Sequence, residues 1–340
     1  MLGKVFILTL LAALAVPVPG YAESPIPVEI YRWIPPFNED LRRERTTFEP
    51  LESAEKPWRL CASIPHLKDA YWLTVNFALV DESKRLGVRL EVLEAGGYGN
   101  LALQREQITK CLQRGADALI VGGISSDGLN DLISKWVAQG KPVIDLINGL
   151  SDPDITARSA ADFWDSGFQI GEYLKQQVAA GSGKSVLWLP GPEGQPWSAA
   201  ADRGFRAALS EMNFRILGPV WGDVSRGAQL YLIESALRSN PDVDYIVVTA
   251  VGAEAAVDIL RESGGDSDIK ILSYYYSSVV DREIRRGRIA AAVTDKQGLQ
   301  ARMAINQSAR ISSTSVLFRF FSKPLGVEDV ELTKVRHQSN

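Results

Sequence analysis

The stretch Arg59-Leu-Cys-Ala-Ser-Ile64, Asp69-Ala-Tyr-Trp-Leu-Thr-Val-Asn-Phe-Ala-Leu-Val-Asp-Glu-Ser-Lys-Arg-Leu86, Arg89-Leu-Glu-Val-Leu93 sets a helical run between two short apolar runs. Short apolar runs that end in Gly, Pro, Asn or Asp and lead into helical stretches are the mark of parallel βα units. Working outward, the pattern continues with helix Leu101 to Arg114, strand Ala118 to Val121, helix Leu129 to Gln139, strand Pro142 to Ile147 and an edge strand at Ile155 to Ala160. Helix Asp162 to Ala180 opens a second series. Its strands are expected at Ser185 to Leu189, Arg215 to Pro219, Asp244 to Thr249, Lys270 to Tyr274 and Ile289 to Val293. Helices near Ser198 to Glu211, Gln229 to Arg238, Ala253 to Glu262, Ser278 to Arg286 and Leu299 to Ala309 separate or follow them.

Two successive halves of this kind, with the last helix returning to the first half, predict an α/β protein: two doubly wound parallel-sheet lobes joined by a hinge, the type I periplasmic binding protein fold. Ligands of such sheets sit outside the carboxyl ends of the strands, and closure of the hinge buries them. The expected boundaries are a signal peptide over 1–22, an N-terminal arm over 23–57, a first lobe from 58–162 and 296–320, a second lobe over 163–295, and a C-terminal segment over 321–340. The crossovers are expected at Ala161 to Phe163, at Asp295 and Lys296, and within Phe320 to Pro324.

The chain has 340 residues, 46% hydrophobic and 23% charged, enough for two cored domains. Lys and Arg total 37 against 41 Asp and Glu, a formal net charge of −4, which argues against a nucleic-acid partner. Met1 to Ala22 reads as a cleavable secretory signal: Lys4, an apolar run from Val5 to Val16, then a Pro-Val-Pro break. The run is shorter than the roughly 20 residues that span a bilayer, so the exported product is expected to be periplasmic and not membrane-inserted. The proline-rich segment before Trp58, with Trp33, Phe37 and Phe48, reads as an arm that docks on a partner or packs on its own lobe, the second being favoured. Cys61 and Cys111, the only cysteines, either pair in that oxidising compartment or stand as buried thiols. With two histidines in all, His66 and His337, neither a metal site nor a cofactor is expected.

The motifs of catalysis are incomplete. Ala180-Gly-Ser-Gly-Lys-Ser185 lacks the opening glycine of a phosphate loop and precedes a strand, so it reads as a helix-to-strand turn. Gly96, Gly97 and Gly99 form no dinucleotide fingerprint, and Gly-x-Ser-x-Gly is absent. An enzyme is therefore not expected. The aromatic residues are the informative signal: Tyr71 and Trp72 after the first strand, Tyr98 after the second, Trp164 at the crossover, Trp197 in Pro190-Gly-Pro-Glu-Gly-Gln-Pro-Trp197, and the run Tyr274 to Tyr276. Placed at strand ends of opposing lobes, they point to an aromatic box. Such a box suits a methylated amine, whose spread positive charge lies against the negative ring faces. A sugar also stacks on aromatic rings, but would call for more polar clamps than Asp69, Asn148, Asp223 and Asp295.

Leu60-Cys-Ala-Ser-Ile-Pro-His-Leu-Lys-Asp-Ala-Tyr-Trp-Leu73 and Leu93-Glu-Ala-Gly-Gly-Tyr98 resemble the TorT family of periplasmic trimethylamine N-oxide sensors. Arg203-Gly-Phe-Arg-Ala-Ala208, Thr249-Ala-Val-Gly-Ala-Glu-Ala-Ala256 and Arg285-Arg-Gly-Arg288 extend the resemblance over about 58–310. It implies binding of trimethylamine N-oxide and a partnership with the periplasmic domain of a membrane sensor histidine kinase, TorS-like. It also implies a box of Trp72, Tyr98, Trp164 and Tyr275 with Tyr71 beside it; Asp69 is expected at the ligand as well, reaching the N-oxide oxygen when protonated or through water, and favouring the positive nitrogen when ionised. A solute-binding protein of an ABC transporter, for a sugar or other small solute, is the alternative that the fold alone leaves open.

Overall fold

Strands buried on both faces need unbroken apolar runs, and the computed structural model of the chain shows two parallel sheets built from them. It describes residues 27–33, 43–178, 183–264, 267–313 and 332–334. The arm contributes β1 (Val28–Trp33) and β2 (Arg43–Phe48), paired antiparallel. The first lobe then runs through β3 (Arg59–Ile64), α1 (Ala70–Leu86), β4 (Arg89–Glu94), α2 (Leu101–Gln113) and β5 (Ala118–Val121). It continues with α3 (Asn130–Val137), β6 (Val143–Leu146) and β7 (Ala157–Ser159). The second holds α4 (Phe163–Gln177), β8 (Ser185–Leu189), α5 (Pro196–Leu209), β9 (Arg215–Leu217), α6 (Arg226–Ser239) and β10 (Tyr245–Val248). After α7 (Ala250–Glu262), β11 (Lys270–Ser273), α8 (Ser278–Arg285) and β12 (Ala291–Val293), α9 (Gln297–Ser313) packs on α1, β5, β6 and β7. A last strand, β13 (Leu332–Lys334), joins the second sheet antiparallel to β12.

The strand orders are β4-β3-β5-β6-β7 and β9-β8-β10-β11-β12-β13. Each parallel part reverses direction beside its first strand, so the crevices open at the carboxyl ends of β3 and β5 and of β8 and β10. Helix α1 shows why the chain breaks where it does. The Asp69 carboxylate accepts the Trp72 amide and caps its start, Gly87 at φ 75° ends it, and Lys84 and Arg85 lie in its last turn. Burial opposes ionisation of Glu82 in the same helix, yet hydrogen bonds from Arg85, Asn306 and Arg302 hold its carboxyl below the usual value. That carboxylate ties α1 to α9. Helices α4 and α5 approach backbone to backbone: a Cβ on Gly204 would lie 1.9 Å from the Trp164 carbonyl oxygen, and one on Gly167 2.1 Å from that of Ala201.

Cys61 of β3 and Cys111 of α2 form a disulfide, with a Cα–Cα distance of 6.1 Å and a sequence separation of 50. By loop-closure entropy a bridge of that span stabilises the fold by about 4 kcal/mol. The arm packs on its own lobe: Ile30, with Val28 and Phe48, covers Met303 and Leu299 of α9, and Arg32–Glu44 and Arg45–Glu29 ion pairs cross the ribbon. Among the described residues no helix is long and apolar enough to cross a membrane. The expected signal peptide, the Phe320 to Pro324 crossover, His337 and the first half of the 180–185 turn lie outside the described residues.

Candidate functional site

Between the two crevices lies a small cavity lined by Asp69, Tyr71, Trp72, Tyr98, Ile147, Asn148, Phe163, Trp197, Val224 and Tyr275. Each wall comes from a segment that follows a strand or opens a helix. The first turn of α1 supplies Tyr71 and Trp72, and Gly122, directly after β5, makes room for the Trp72 ring: a Cβ there would lie 2.6 Å from it. The second lobe repeats the arrangement. Gly191, just beyond β8 at φ 111°, faces the Trp197 ring, which a Cβ would meet at 2.7 Å. Asn148 donates to the Tyr98 hydroxyl at 3.2 Å and to the Gly123 carbonyl at 2.8 Å, and so steadies one ring edge. Its neighbour Ile147 holds a φ of 70°, a costly conformation for a β-branched residue and one that clusters at ligand sites.

Tyr275 meets Tyr71 and Trp197 edge to face, the arrangement that aromatic quadrupoles favour, while Trp197 is tilted against Phe163 and Tyr98. Tyr71 of the first lobe stands 5.2 Å from Tyr275 of the second, at 75°. Trp197 lies 6.2 Å from Tyr275, 5.8 Å from Phe163 and 6.5 Å from Tyr98. The Trp197 indole N–H is buried and has no hydrogen-bond partner.

Acidic groups surround this aromatic cluster. The Tyr71 hydroxyl donates to Asp295 Oδ2 at 2.5 Å, while Asp295 Oδ1 is buried without a partner. Burial pushes the Asp295 carboxyl up to about 6, against the pull of the Tyr71 and Gln300 hydrogen bonds. Burial likewise raises Asp69, whose carboxylate keeps the Trp72 amide at 2.9 Å and has His66 Nε2 3.9 Å away. Burial lowers the His66 imidazole more than Asp69 raises it. Glu254 on α7 is pushed up to about 7 by burial and by the Asp69 charge, with the Ser277 hydroxyl opposing. No cluster of three or more metal-ligating side chains occurs among the described residues.

The structure brings Asp69, Tyr71, Trp72, Tyr98 and Tyr275 around one cavity. It places Trp164 elsewhere: that ring is 37% exposed and stacks on Phe168 at 5.0 Å and 13°. The wall expected of Trp164 is supplied by its neighbour Phe163, because α4 begins at Phe163 under the Asp162 cap and one helical step turns the next side chain about 100° away. Within the tyrosine run, Tyr274 is fully buried against Trp188 and donates to the Pro190 carbonyl at 2.5 Å, which leaves Tyr275 to the cavity. Phe163, Ile147 and Val224 are lining residues beyond the expected set. Phe163 could have been found from the same crossover pattern that pointed to Trp164.

Residues 61–313 match the periplasmic binding protein domain family. The periplasmic protein TorT of Escherichia coli K12 is 38% identical over 257 residues, covering 76% of this chain and 73% of TorT. The chain belongs to the TorT family of periplasmic binding proteins. Among solved structures, an ABC transporter solute-binding protein from Bradyrhizobium sp. BTAi1 with bound Bis-Tris is 41% identical, at a TM-score of 0.75, over 87% of this chain and 89% of that one. The TorS sensor domain–TorT complex in the presence of TMAO is 30% identical, at a TM-score of 0.71, over 83% of this chain and 98% of that one. This TorT-family chain thus shares a binding-protein fold with both a signalling and a transport protein, and its cavity occupies the crevice where that fold takes ligands.

Proposed function

We propose that the protein is a periplasmic sensor that binds trimethylamine N-oxide, or a related methylated amine, between its lobes and regulates a membrane sensor histidine kinase. One observation carries the reading: rings from both lobes, Tyr71, Trp72, Tyr98, Phe163, Trp197 and Tyr275, converge on one small cavity edged by carboxyl groups. N-methyl groups carry the positive charge of the ligand, and each desolvated ring face contributes about 0.5–2 kcal/mol toward it. The N-oxide oxygen needs donors. The unpartnered Trp197 indole N–H is one, and Asp69 serves as another when it holds a proton, which its burial favours. The protein acts by binding, with no catalytic step. The kinase partner follows from kinship to the TorT seen with the TorS sensor domain.

Calorimetric titration of the mature protein with trimethylamine N-oxide, trimethylamine, glycine betaine and ribose tests this. Saturable binding of the N-oxide above the others is expected, together with more than tenfold weaker binding by Trp72→Ala. Preference for ribose, or equal affinity of Trp72→Ala, would overturn the aromatic box. The solute-binding reading is favoured by the likeness to the Bradyrhizobium transporter protein. ATP-dependent uptake of the bound solute through a permease that captures this protein would select it over the sensor.

A further inference from the structure

The crossover that leads from β12 back to the first lobe carries a buried acid with no counter-ion among the described residues. Asp295 is 1% exposed, and one of its carboxyl oxygens, Oδ1, is buried without a hydrogen bond. The other, Oδ2, accepts the Tyr71 hydroxyl at 2.5 Å and a longer bond from Gln300 Nε2 at 3.3 Å. Gln300 gives its shorter bond, 2.6 Å, to the Asp295 carbonyl. The backbone amides of Tyr276 and of Asp295 itself also favour the ionised form, and the phenols of Tyr274 and Tyr275 stand close enough to feel its charge. None of these groups is a cation. A buried carboxylate held this way is costly until positive charge comes within reach.

Tyr71 stands between that carboxyl group and the cavity. Its ring lines the cavity and Asp295 does not, so Asp295 is no direct clamp for a ligand hydroxyl. The three lining tyrosines differ in what holds their hydroxyls. Tyr98 accepts from the Asn148 amide, and Tyr275 pairs with the Thr249 side chain. Tyr71 donates to a buried carboxyl group. A phenol that donates a charge-assisted hydrogen bond gains electron density on its ring. A cation over that ring is then drawn by the ring quadrupole and by the carboxylate behind it together. Asp69, which does line the cavity, is tied differently: its carboxylate caps α1 through the Trp72 amide and has His66 Nε2 3.9 Å away.

We propose that Asp295 is the positioning residue that sets the charge preference of the site: ionised behind Tyr71, it acts through the Tyr71 phenol so that the aromatic cavity takes a cationic methylated nitrogen over a neutral ligand of the same shape. The proposal deepens the methylated-amine reading given above and rests on it. The box alone selects shape and apolar surface, which a neutral trimethyl compound also offers. The carboxylate behind one of its walls adds the term that such a compound cannot use.

The experiment titrates wild type, Asp295→Asn, Tyr71→Phe and Tyr71→Phe/Asp295→Asn with trimethylamine N-oxide by calorimetry. Tert-butyl alcohol, its neutral isostere, is followed by competition up to molar concentration. The work is done at about pH 8, where Asp295, pushed up to about 6 by burial, is ionised. Asp295→Asn keeps an acceptor for the Tyr71 hydroxyl and removes the charge; it should lose about tenfold in N-oxide affinity and change by less than about twofold for the alcohol. Tyr71→Phe keeps the ring, breaks the link and should lose the same preference, and it decides the matter alone if Asp295→Asn does not fold. The double variant should lose no more than the larger single loss, because both act through one hydrogen bond. Equal losses for the two ligands would reduce Asp295 to a packing role, and unchanged N-oxide affinity or additive losses would remove its action through Tyr71; each overturns the proposal and leaves the methylated-amine reading standing. Wild type that does not bind the N-oxide, or that prefers the alcohol, overturns that reading and the proposal with it.

Discussion

Glu254 carries a proton in the folded protein at a pH where an unfolded chain has already released it. Burial and the neighbouring Asp69 charge raise it to about 7 from the ordinary 4.5. Between those values the folded state holds the extra proton, so the contribution of this group to stability is full below about pH 4.5 and is lost as pH rises through 7. Replacing Glu254 by Gln keeps an acceptor for the Ser277 hydroxyl and removes the titration. Urea unfolding of the two proteins across pH 5 to 8 should show Glu254→Gln gaining on wild type by about 1–2 kcal/mol at the alkaline end, after allowance for the group's partial contact with solvent. A gap that stays constant with pH would mean that Glu254 ionises as an ordinary carboxylate.

Elements were legible wherever a single physical requirement governs the run. β3, β5 and β8 are buried almost throughout, so their residues are nearly all apolar, and the expected bounds match the observed ones. Helix starts were less legible because side-chain caps set them. Thr249 reads as the end of a strand, yet its hydroxyl accepts the Gly252 amide and starts α7 three residues before the expected Ala253. The same effect displaced one wall of the site, since the register of α4 decides whether Phe163 or Trp164 faces the cavity. The β1–β2 ribbon escaped notice because its inward residues, Val28, Ile30 and Phe48, are few, and charged side chains fill the positions between. The contact of α4 with α5 yields a test at this scale. Gly204→Ala puts a methyl group 1.9 Å from the Trp164 carbonyl oxygen, with rigid backbone on both sides. The helices must then separate, and a loss of about 1–3 kcal/mol is expected in denaturant unfolding. Gly227→Ala, with nothing near the added carbon, should leave stability unchanged within about 0.5 kcal/mol.

At the scale of the whole molecule the two lobes are seen closed on each other. Tyr71 reaches across to Tyr275, and Gln195, in the loop after β8, donates at 2.9 Å to the carbonyl of Ile124, in the loop after β5. That hydrogen bond exists only when the loops meet, so it weights the closed state without touching the cavity lining. A ligand that binds the closed form more tightly gains whatever the closed population gains. Removing one such neutral hydrogen bond costs about 0.5–1.5 kcal/mol of closure, which corresponds to roughly 2- to 12-fold in apparent affinity. Gln195→Ala should therefore weaken N-oxide binding by that factor. The loss should fall on the dissociation rate, because closure holds a ligand whose first encounter is with one open lobe. Stopped-flow fluorescence can follow it through Trp72 and Trp197, which line the cavity. A slower association with unchanged dissociation would place the Gln195 contact before closure and remove it from the devices that retain the ligand.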